Sequence, residues 1–431
     1  MKAIGIDIGT TSICGVVIDA ENGNLIKSVT RNSDAFIITD KSYEKIQSVD
    51  KIIEIADDIL NSLITDDVAA IGVTGQMHGI VYVDKKGNAV SPLYTWQDGR
   101  GNLKYKDTTY AEYLNGSSGF GCITDFYNRE NGIRPESAVG FCTIHDYFVM
   151  KICDLKEPVI HSSDAASFGC YNIKENKLNY DADMKIVSDY TVAGYYNKIP
   201  VSVAIGDNQA SVFASLDSDD DILLNVGTGS QISVVTDKVI DCPDIETRPY
   251  FEGKYLAVGA ALCGGRAYSI LKDFYKSVFS YREELKDDEI YSVMSSMLNK
   301  DCFSLDVDTR FSGTRNHPEI KGSINGIDIF NFTPETLTRG FLKGIIKELY
   351  NLSQKTNLEF KGLVGSGNGI RKNVHLKNEA EKMYNKNMKI PVYTEEAACG
   401  ASLFALISAG LYKNKNEIRK LIRYKGDSKN D

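Results

Sequence analysis

Apolar positions near the start of the chain change from a strand-like to a helix-like pattern. Three short runs are rich in β-branched side chains and are separated by turn-forming residues: KAIGIDI, SICGVVIDA and NLIKSV. They predict a three-stranded meander with tight connections. From about Tyr43 to Thr65, apolar residues recur at helical spacing and predict a long amphipathic helix. Residues 68–75 follow as a buried strand, so the opening predicts a mixed sheet covered by helices.

This opening recurs later in the chain. Residues 221–236, DILLNVGTGSQISVVT, again combine an apolar strand, a Gly-Thr-x-Ser turn and a β-rich return strand. One such hairpin is a weak signal, but two hairpins, each early in its own half, predict two similar domains. We place the boundary near residue 205, which gives domains of residues 1–205 and 206–431.

Two helices are predicted in the second half. One opens at Thr333-Pro334-Glu335, where Thr can cap, Pro occupies the first helical position and an acidic residue meets the helix dipole. The strand-turn GLVGSGNGIRKN and a helix of small residues, EEAACGASLFALISAG, complete this half.

Composition bounds the functional classes. The chain has 431 residues, enough for two domains of about 200 residues each, with 42% hydrophobic and 25% charged residues. A net charge of −9 argues against nucleic acid as a partner. The nine cysteines include no Cys-x-x-Cys pair, which favours a reducing compartment. No run is long enough for a membrane span and no signal peptide is apparent, so we expect a cytoplasmic protein without a membrane partner.

Phosphate binding is the chemistry that the two hairpins favour. Glycine lets a turn present backbone N–H groups to phosphate oxygens, and Thr and Ser hydroxyls add donors. Asp7, just before the first turn, could hold Mg²⁺ directly or through water, while its counterpart is the uncharged Asn225. The alternative is a pair of ordinary β-hairpins. The candidate phosphate-binding residues are Gly9, Thr10, Thr11, Ser12, Gly227, Thr228 and Gly229.

Asp207 is the candidate catalytic base. In VSVAIGDNQAS a buried strand ends at Gly206, and Asp207 stands where a helix begins. A carboxylate there could accept the proton of an attacking hydroxyl and align it. The alternative is that Asp207 only caps the helix, for which Asp is well suited.

Two further segments contain residue types that suit a sugar pocket. GVTGQMHGIVYVD places Gln76, Met77 and His78 in a loop between strands, and TWQDGR contains Trp96, Asp98 and Arg100. Sugars are bound by planar polar groups beside an aromatic or apolar face. Alternatively, His78 is a satisfied core histidine, and Asp98 with Arg100 forms a local ion pair. The glycines of Gly365-Ser366-Gly367-Asn368-Gly369 could let adenine approach the backbone, or mark a plain turn.

Taken in order, seven motifs resemble those of the FGGY carbohydrate kinases: GIDIGTTS, GVTGQMHG, TWQDGR, GDNQAS, LNVGTGSQ, GSGNGIRKN and EEAACGAS. The resemblance implies an α/β fold of two actin-like ATPase (ribonuclease H-like) domains, with ATP and sugar in a catalytic cleft between them. It implies a phosphotransferase that uses ATP and Mg²⁺ and has an alcohol acceptor, with the sugar on the N-terminal domain and ATP on the C-terminal one.

The resemblance also implies roles for individual residues. Asp207 would be the base and Asp7 would lie near Mg²⁺. Adenine would lie by Gly365, Ser366, Gly367 and Asn373. Sugar contacts would come from Met77, His78, Trp96, Asp98, Arg100, Asp207 and Asn208.

Within the family, the segments GFGCIT, TIHDYFVMKIC, SDAASFGCYN and FSGTRNHPEIKGSI resemble the sedoheptulokinase branch. This implies that sedoheptulose is converted to sedoheptulose 7-phosphate. The chain departs from many family members at Thr143–Tyr147, where they carry a Lys and a Trp. It also lacks, around 119–125, an arginine of the kind that xylulose kinases place near their sugar.

Three alternatives stay open. A kinase of another sugar or polyol, such as xylulose or ribulose, would keep every phosphate motif. An actin-like or chaperone-type ATPase would share the hairpins but have no use for GDNQAS beside a sugar pocket. A sugar-responsive repressor would need a basic helix-turn-helix ahead of the first strand. The oligomeric state is open, with a homodimer as one candidate.

Overall fold

The computed structural model describes residues 1–182, 184–299 and 303–426. The chain divides into two compact units, and neither is continuous in sequence. The first unit comprises Met1–Asp217, Arg248–Lys254 and Tyr393–Arg423; the second comprises Ser218–Thr247, Tyr255–Val392 and a short final segment beginning at Tyr424. This division differs from a boundary near residue 205, because the helix that follows Gly206 packs within the first unit and the chain returns to that unit twice.

The strands are, in chain order, β1 Lys2–Ile8, β2 Ser12–Asp19, β3 Leu25–Asn32, β4 Ile46–Gln47, β5 Val68–Gly75, β6 Val81–Asp84, β7 Leu93–Tyr94, β8 Lys104–Tyr105, β9 Thr108–Thr109, β10 Ala138–Cys142, β11 Val159–His161, β12 Tyr171–Asn172, β13 Lys177–Leu178, β14 Lys185–Val187, β15 Val192–Tyr196, β16 Ile199–Ser202, β17 Ile205–Gly206, β18 Asp221–Val226, β19 Ser230–Thr236, β20 Glu246–Pro249, β21 Tyr255–Ala261, β22 Asp306–Asp308, β23 Ser323–Asn325, β24 Gly362–Ser366 and β25 Met388–Lys389.

The helices are α1 Val49–Leu63, α2 Tyr110–Tyr113, α3 Gly121–Glu130, α4 Ile144–Ile152, α5 Ser162–Ser167, α6 Asp207–Ser215, α7 Gly264–Phe279, α8 Asp287–Leu298, α9 Pro334–Lys355, α10 Gly367–Lys372, α11 Val374–Tyr384, α12 Glu396–Ser408 and α13 Lys415–Ile418. Two short 3₁₀ helices span Gly99–Asn102 and Arg419–Leu421. Among the described residues, no helix combines the length and the apolar character needed to cross a membrane.

The first unit is built on a mixed sheet with the order β15-β16-β5-β1-β2-β3, in which β17 also pairs with β5. The predicted meander is confirmed, since β1, β2 and β3 are antiparallel neighbours, while β5 runs parallel to β1. Successive strand residues point to opposite faces. Accordingly Gly5 lies against α12, whereas Ile6 shares the face that α1 covers. The sheet is therefore buried on both faces where β1 lies.

The first helix is shorter than the periodicity predicted. It begins at Val49 rather than near Tyr43, and the Ser48 hydroxyl caps it by accepting the backbone N–H of Lys51. Ile46 fits the helical spacing but lies in β4, which pairs with β7. The pairing of two segments distant in sequence overrides the local pattern. The helix predicted at Pro334 is confirmed, with Thr333 as its cap.

The second unit repeats the arrangement at the centre of the first. Its sheet includes the order β21-β19-β18-β24-β25. β18 and β19 form an antiparallel hairpin, and β24 runs parallel to β18, as β5 does to β1. The recurrence seen in the sequence thus corresponds to two sheets of like topology, each with a Gly-Thr turn at the end of its central strand.

Candidate active site

The ends of three parallel strands meet at one edge of the first sheet. Asp7 of β1 is paired with Thr74 of β5, and Thr74 is paired with Ile205 of β17. Residues at the ends of these strands therefore lie side by side, so Asp7, the Gln76–His78 loop and Asp207 are found at the same edge. In open α/β sheets this edge is where ligands bind.

Asp207 is the first residue of α6, and the residue at the N-cap position is Gly206. No side chain caps this helix, so the alternative in which Asp207 serves as the cap does not describe the structure. Asp207 is half-buried at the positive end of the helix, a position that favours a carboxylate.

Negative charge is concentrated at this edge. Burial, followed by the charge of Asp207, raises the pKa of Asp7 to about 7, and Glu395 at the start of α12 acts in the same direction. Burial also raises the pKa of Asp207, against the opposing positive charges of His145 and Arg248. Partly buried carboxylates that repel one another suit a divalent cation, which takes oxygen ligands. The residues present therefore fit a Mg²⁺ ion near Asp7.

A hydrogen-bond network surrounds the first Gly-Thr turn. The Thr10 hydroxyl donates to Gln76 Oε1 at 3.2 Å and accepts from Trp96 Nε1 at 3.0 Å. The Thr10 carbonyl accepts from Gln47 Nε2 at 2.7 Å and from the Ser33 hydroxyl at 3.1 Å. The turn is thus held by side chains from β4 and from the two candidate sugar-binding loops. Roles in phosphate binding for Gly9, Thr10, Thr11 and Ser12 stay predictions.

Met77 and His78 follow β5, and a Cβ on Gly206, the residue before Asp207, would lie 2.7 Å from the sulfur of Met77. His78 has a left-handed backbone with φ of 73°, and its backbone N–H donates to the Ser167 hydroxyl at 3.0 Å. Its Nδ1 lies 2.7 Å from the Ser167 carbonyl oxygen, and its ring stacks on Phe120 at a centroid distance of 4.5 Å. Because a carbonyl only accepts, Nδ1 carries the proton. The ring orientation is therefore fixed, which suits a specificity residue.

Asp98 and Arg100 form the local ion pair that was the alternative interpretation of TWQDGR. Arg100 Nε donates to Asp98 Oδ1 at 2.6 Å, and its Nη1 donates to Asn128. Both side chains are buried, and the guanidinium lies 4.2 Å from the centre of the Tyr94 ring. These contacts occupy the groups that would face a sugar. The geometry supports a structural role for the pair, whereas Trp96 is 47% exposed and accessible.

Arg248 contributes to the candidate active site, although the sequence did not indicate it. It belongs to the segment Arg248–Lys254 that returns to the first unit, and its Nη1 lies 3.4 Å from Asn208 Oδ1. Asn208 follows Asp207 on α6 and is nearly buried. Arg248 lies 41 residues after Asp207 with no shared motif, so only the fold brings the two together.

In the second unit, two glycine-containing turns lie at one sheet edge. Asn225 is paired with Ser366, and Asn225 Nδ2 donates to the Ser366 hydroxyl at 2.9 Å. Gly367 follows with φ of 79°, and a Cβ there would lie 2.5 Å from the Val226 carbonyl oxygen. This close approach requires glycine. The turns 227–229 and 365–367, predicted separately, therefore adjoin each other.

The second Gly-Thr turn also lies at the N-terminus of α7. The backbone N–H groups of Gly265 and Arg266 donate to the carbonyls of Gly227 and Thr228, both at 2.9 Å. The positive end of a 16-residue helix dipole thus backs this turn, which favours a nearby anion. Arg266, exposed in the first turn of α7, was not among the predicted residues. Asn373 caps α11 by accepting the N–H groups of His375 and Leu376.

Similarity to known proteins indicates the family of the N-terminal part of the chain. Residues 2–192 match the N-terminal domain of the FGGY family of carbohydrate kinases. This part of the chain belongs to that family. Sedoheptulokinase from Mus musculus is 28% identical over 94% of this chain and 97% of the mouse protein. Sedoheptulokinase from Homo sapiens is 27% identical with the same coverage.

Solved structures agree on the fold of the chain. Xylulose kinase from Rhodospirillum rubrum superposes with a TM-score of 0.84 at 17% identity, covering 98% of this chain and 93% of that one. Plasmodium falciparum glycerol kinase with ADP gives 0.78 at 18% identity, covering 97% and 91%. The chain has the two-domain, actin-like α/β fold, and its class is that of a phosphotransferase with an alcohol acceptor.

Proposed function

We propose that this FGGY kinase transfers the γ-phosphoryl group of ATP to a terminal hydroxyl of a ketose, sedoheptulose, and forms sedoheptulose 7-phosphate. The observation that carries the proposal is the position of Asp207 at the strand edge shared with Asp7 and the Gln76–His78 loop. The choice of sedoheptulose is supported by similarity to two sedoheptulokinases over nearly the whole of both chains, while a xylulose kinase from Staphylococcus xylosus is 23% identical.

Asp207 accepts the proton of the attacking hydroxyl and aligns that hydroxyl. Its raised pKa makes it a better base than an ordinary aspartate, and its ionised form is maintained by His145 and Arg248. In phosphoryl transfer the alignment contributes more than proton removal. Met77, His78, Trp96 and Asn208 contact the sugar, and Asp98 with Arg100 supports the Trp96 loop.

The second unit provides the nucleotide site. Gly227, Thr228 and Gly229 bind phosphate oxygens at the N-terminus of α7, and Gly365 with Ser366 and Gly367 lies against adenine, with Asn373 nearby. In the first unit Asp7 holds Mg²⁺, and Gly9, Thr10, Thr11 and Ser12 face the transferred phosphate. A bound Mg²⁺ ion neutralises charge that develops on the transferred group.

Turnover across a sugar panel tests the substrate. Purified protein with Mg²⁺ and ATP is given sedoheptulose, xylulose, ribulose, fructose, glycerol or erythritol, and ADP release is measured beside the phosphorylated product. We expect the highest kcat/KM with sedoheptulose. A preference for another sugar would change the assigned substrate and leave the proposed mechanism unchanged. ATP hydrolysis independent of sugar, without a phosphorylated product, would contradict the proposal.

The variant Asp207→Asn tests the mechanism. It keeps the shape of the side chain and removes the base, so we expect kcat to fall by about 10²–10⁴-fold. Nucleotide binding and thermal unfolding serve as controls, since the proposed ATP residues lie in the other unit. Turnover close to that of the wild type would overturn the role of Asp207.

A further inference from the structure

His145 is a buried histidine that lies beneath the candidate active site. It is the second residue of α4, its side chain is 0% exposed, and its Nε2 lies 3.0 Å from Asp164 Oδ1. Asp164 is equally buried, on α5. Within the described part of the chain, the Asp164 carboxylate has no hydrogen bond of good geometry, so the ion pair with His145 is its main compensation. A buried carboxylate in this situation requires a neighbouring positive charge.

The other ring nitrogen of His145 reaches the strand edge. A Cβ built on Gly75 would lie 2.9 Å from His145 Nδ1 and 2.7 Å from the Ile8 carbonyl oxygen. Gly75 ends β5, and it is paired with Ile8 at the end of β1 and with Gly206 at the end of β17. The imidazole therefore contacts the backbone at the point from which Asp7 and Asp207 project. Any side chain at position 75 would displace it.

Four carboxylates surround His145. Asp164 and Asp146 are its immediate neighbours, and Asp207 and Asp7 lie at the strand edge above it. Burial lowers the pKa of His145, but the charge and close contact of Asp164, followed by the charges of Asp146 and Asp207, outweigh it and raise the pKa to about 9. The ring is an imidazolium at neutral pH. Its positive charge opposes the raised pKa of Asp207 more strongly than the charge of Arg248 does.

A metal ion is the competing explanation for this cluster. Ligand atoms of His145, Asp146 and Asp164 all lie within 4.8 Å of one another. Asp146, however, is already engaged in the capping of α4: its Oδ2 accepts from the Thr143 hydroxyl at 2.7 Å and from the Thr143 backbone N–H at 3.3 Å. An ion pair accounts for the geometry without a further ligand.

We propose that His145 is a positioning residue for phosphoryl transfer: held by Asp164, it supplies the positive charge that stabilises the carboxylates of Asp7 and Asp207 and fixes the strand ends that carry them. It does not touch the sugar or ATP, and it acts through Asp207. This inference rests on the proposed function, since it takes Asp207 as the base.

Three variants test the inference with the sugar that the wild-type enzyme turns over best. His145→Gln is similar in size and neutral, and we expect kcat to fall by about 10–100-fold, with the KM for ATP unchanged. His145→Lys restores a cation, and we expect its kcat to exceed that of His145→Gln by about tenfold. A role in packing alone predicts the opposite order, because lysine fits the imidazole cavity less well than glutamine.

The double variant His145→Gln/Asp164→Asn keeps the test valid where His145→Gln alone does not fold. The double variant removes both charges of the buried pair at once. We expect its kcat to be about tenfold below that of the wild type, because the cation nearest the strand edge is absent. Thermal unfolding of each variant is measured beside its kinetics, so that lost stability is separated from lost turnover.

Defined outcomes overturn the inference. Wild-type kcat in His145→Gln, or no recovery of kcat in His145→Lys, would exclude a role for the positive charge of His145. A stoichiometric metal in the purified wild type that is lost from His145→Gln, measured by elemental analysis, would replace the ion pair with a metal site. Failure of the proposed function gives a different pattern, in which the wild type itself phosphorylates no sugar; that result would remove the basis of the inference as well.

Discussion

At the scale of single residues, the candidate site is defined by carboxylates held close together. Asp7 lies near the end of β1 and Asp207 directly follows β17, the strands on either side of β5, and Glu395 adds a third negative charge. Such an arrangement destabilises a protein without its ligand, because like charges repel one another and lose water on burial. Binding of substrate, metal or both would relieve the repulsion, which is the usual relation between activity and stability at a catalytic site.

The variant Asp7→Asn, in metal-free buffer, measures how much the ionised Asp7 carboxylate lowers the free energy of unfolding. The pKa of Asp7 is about 7 in the folded state and 3.8 in the unfolded chain, so below pH 3.8 the Asp7 carboxyl is protonated in both states and costs no stability. The cost grows as pH rises toward 7 and is constant above it, because the unfolded state ionises first. For a half-buried group, we expect Asp7→Asn to raise the free energy of unfolding at pH 8 by about 2–4 kcal/mol, with little gain at pH 4.

Denaturant unfolding at both pH values checks this expectation. The exposed carboxylate of Asp66 provides the control, since Asp66→Asn should leave stability unchanged within about 0.5 kcal/mol. Added Mg²⁺ should stabilise the wild type at pH 8 and leave Asp7→Asn unaffected. Equal stabilisation of both proteins by Mg²⁺ would place the metal elsewhere.

The sequence could predict residues whose role follows from their place in a local motif. Asp7 lies near the end of one buried strand and Asp207 directly follows another, and the fold brings the two residues to a common edge. For Arg100 the sequence left a sugar contact and a local ion pair with Asp98 both open. It could not decide between them, because the partner Asn128 is distant in sequence and the burial of Arg100 depends on packing. His145 appeared within the family comparison but received no role, since its partner Asp164 lies on another helix.

At the scale of elements, close contact of backbones positions the helix that carries Asp207. A Cβ on Gly400 of α12 would lie 1.8 Å from the Ala210 carbonyl oxygen of α6. Gly5 and Gly72 permit the same approach of β1 and β5 to α12, at 1.8 Å and 1.9 Å from carbonyl oxygens of that helix. Because these positions carry no side chains, α12 packs directly on the sheet and on α6. This packing fixes the position of Asp207.

The variant Gly400→Ala is expected to disturb both stability and catalysis. The added methyl group must push α12 and α6 apart, which costs about 1–3 kcal/mol of folding free energy. Because Ala210 lies one turn after Asp207, the displacement also moves the base, so kcat should fall at temperatures where the variant is folded. Urea unfolding and steady-state kinetics measure the two effects.

Gly140 provides a matched control on β10. A Cβ there meets nothing within 4 Å among the described atoms, so Gly140→Ala should keep wild-type kcat and change stability by no more than about 0.5 kcal/mol. If Gly400→Ala behaved like Gly140→Ala, α12 would not position the base. The sequence predicted α12 from its small residues, but no local pattern indicated which sheet it covers.

At the scale of the whole molecule, the two units are interleaved along the chain. The recurrence of the Gly-Thr hairpin could predict two similar units, because each hairpin is local in sequence. The return of Tyr393–Arg423 to the first unit could not be predicted in this way. It depends on which sheet the last helices cover, and that is decided by long-range packing such as the contact of Tyr393 with the carbonyls of Gly23 and Leu421.

This interleaving predicts that the first unit cannot fold from its N-terminal residues alone. A chain that ends at Val392 lacks α12, so the apolar face of β1 and β5 that α12 covers would meet water. We expect this truncation to lose the cooperative unfolding of the first unit, bind a hydrophobic dye and phosphorylate no sugar. A chain that ends at Ala409 keeps α12 and should retain more of the first unit's structure. If the shorter chain unfolded with the same cooperativity and midpoint as the longer one, the first sheet would fold independently of α12.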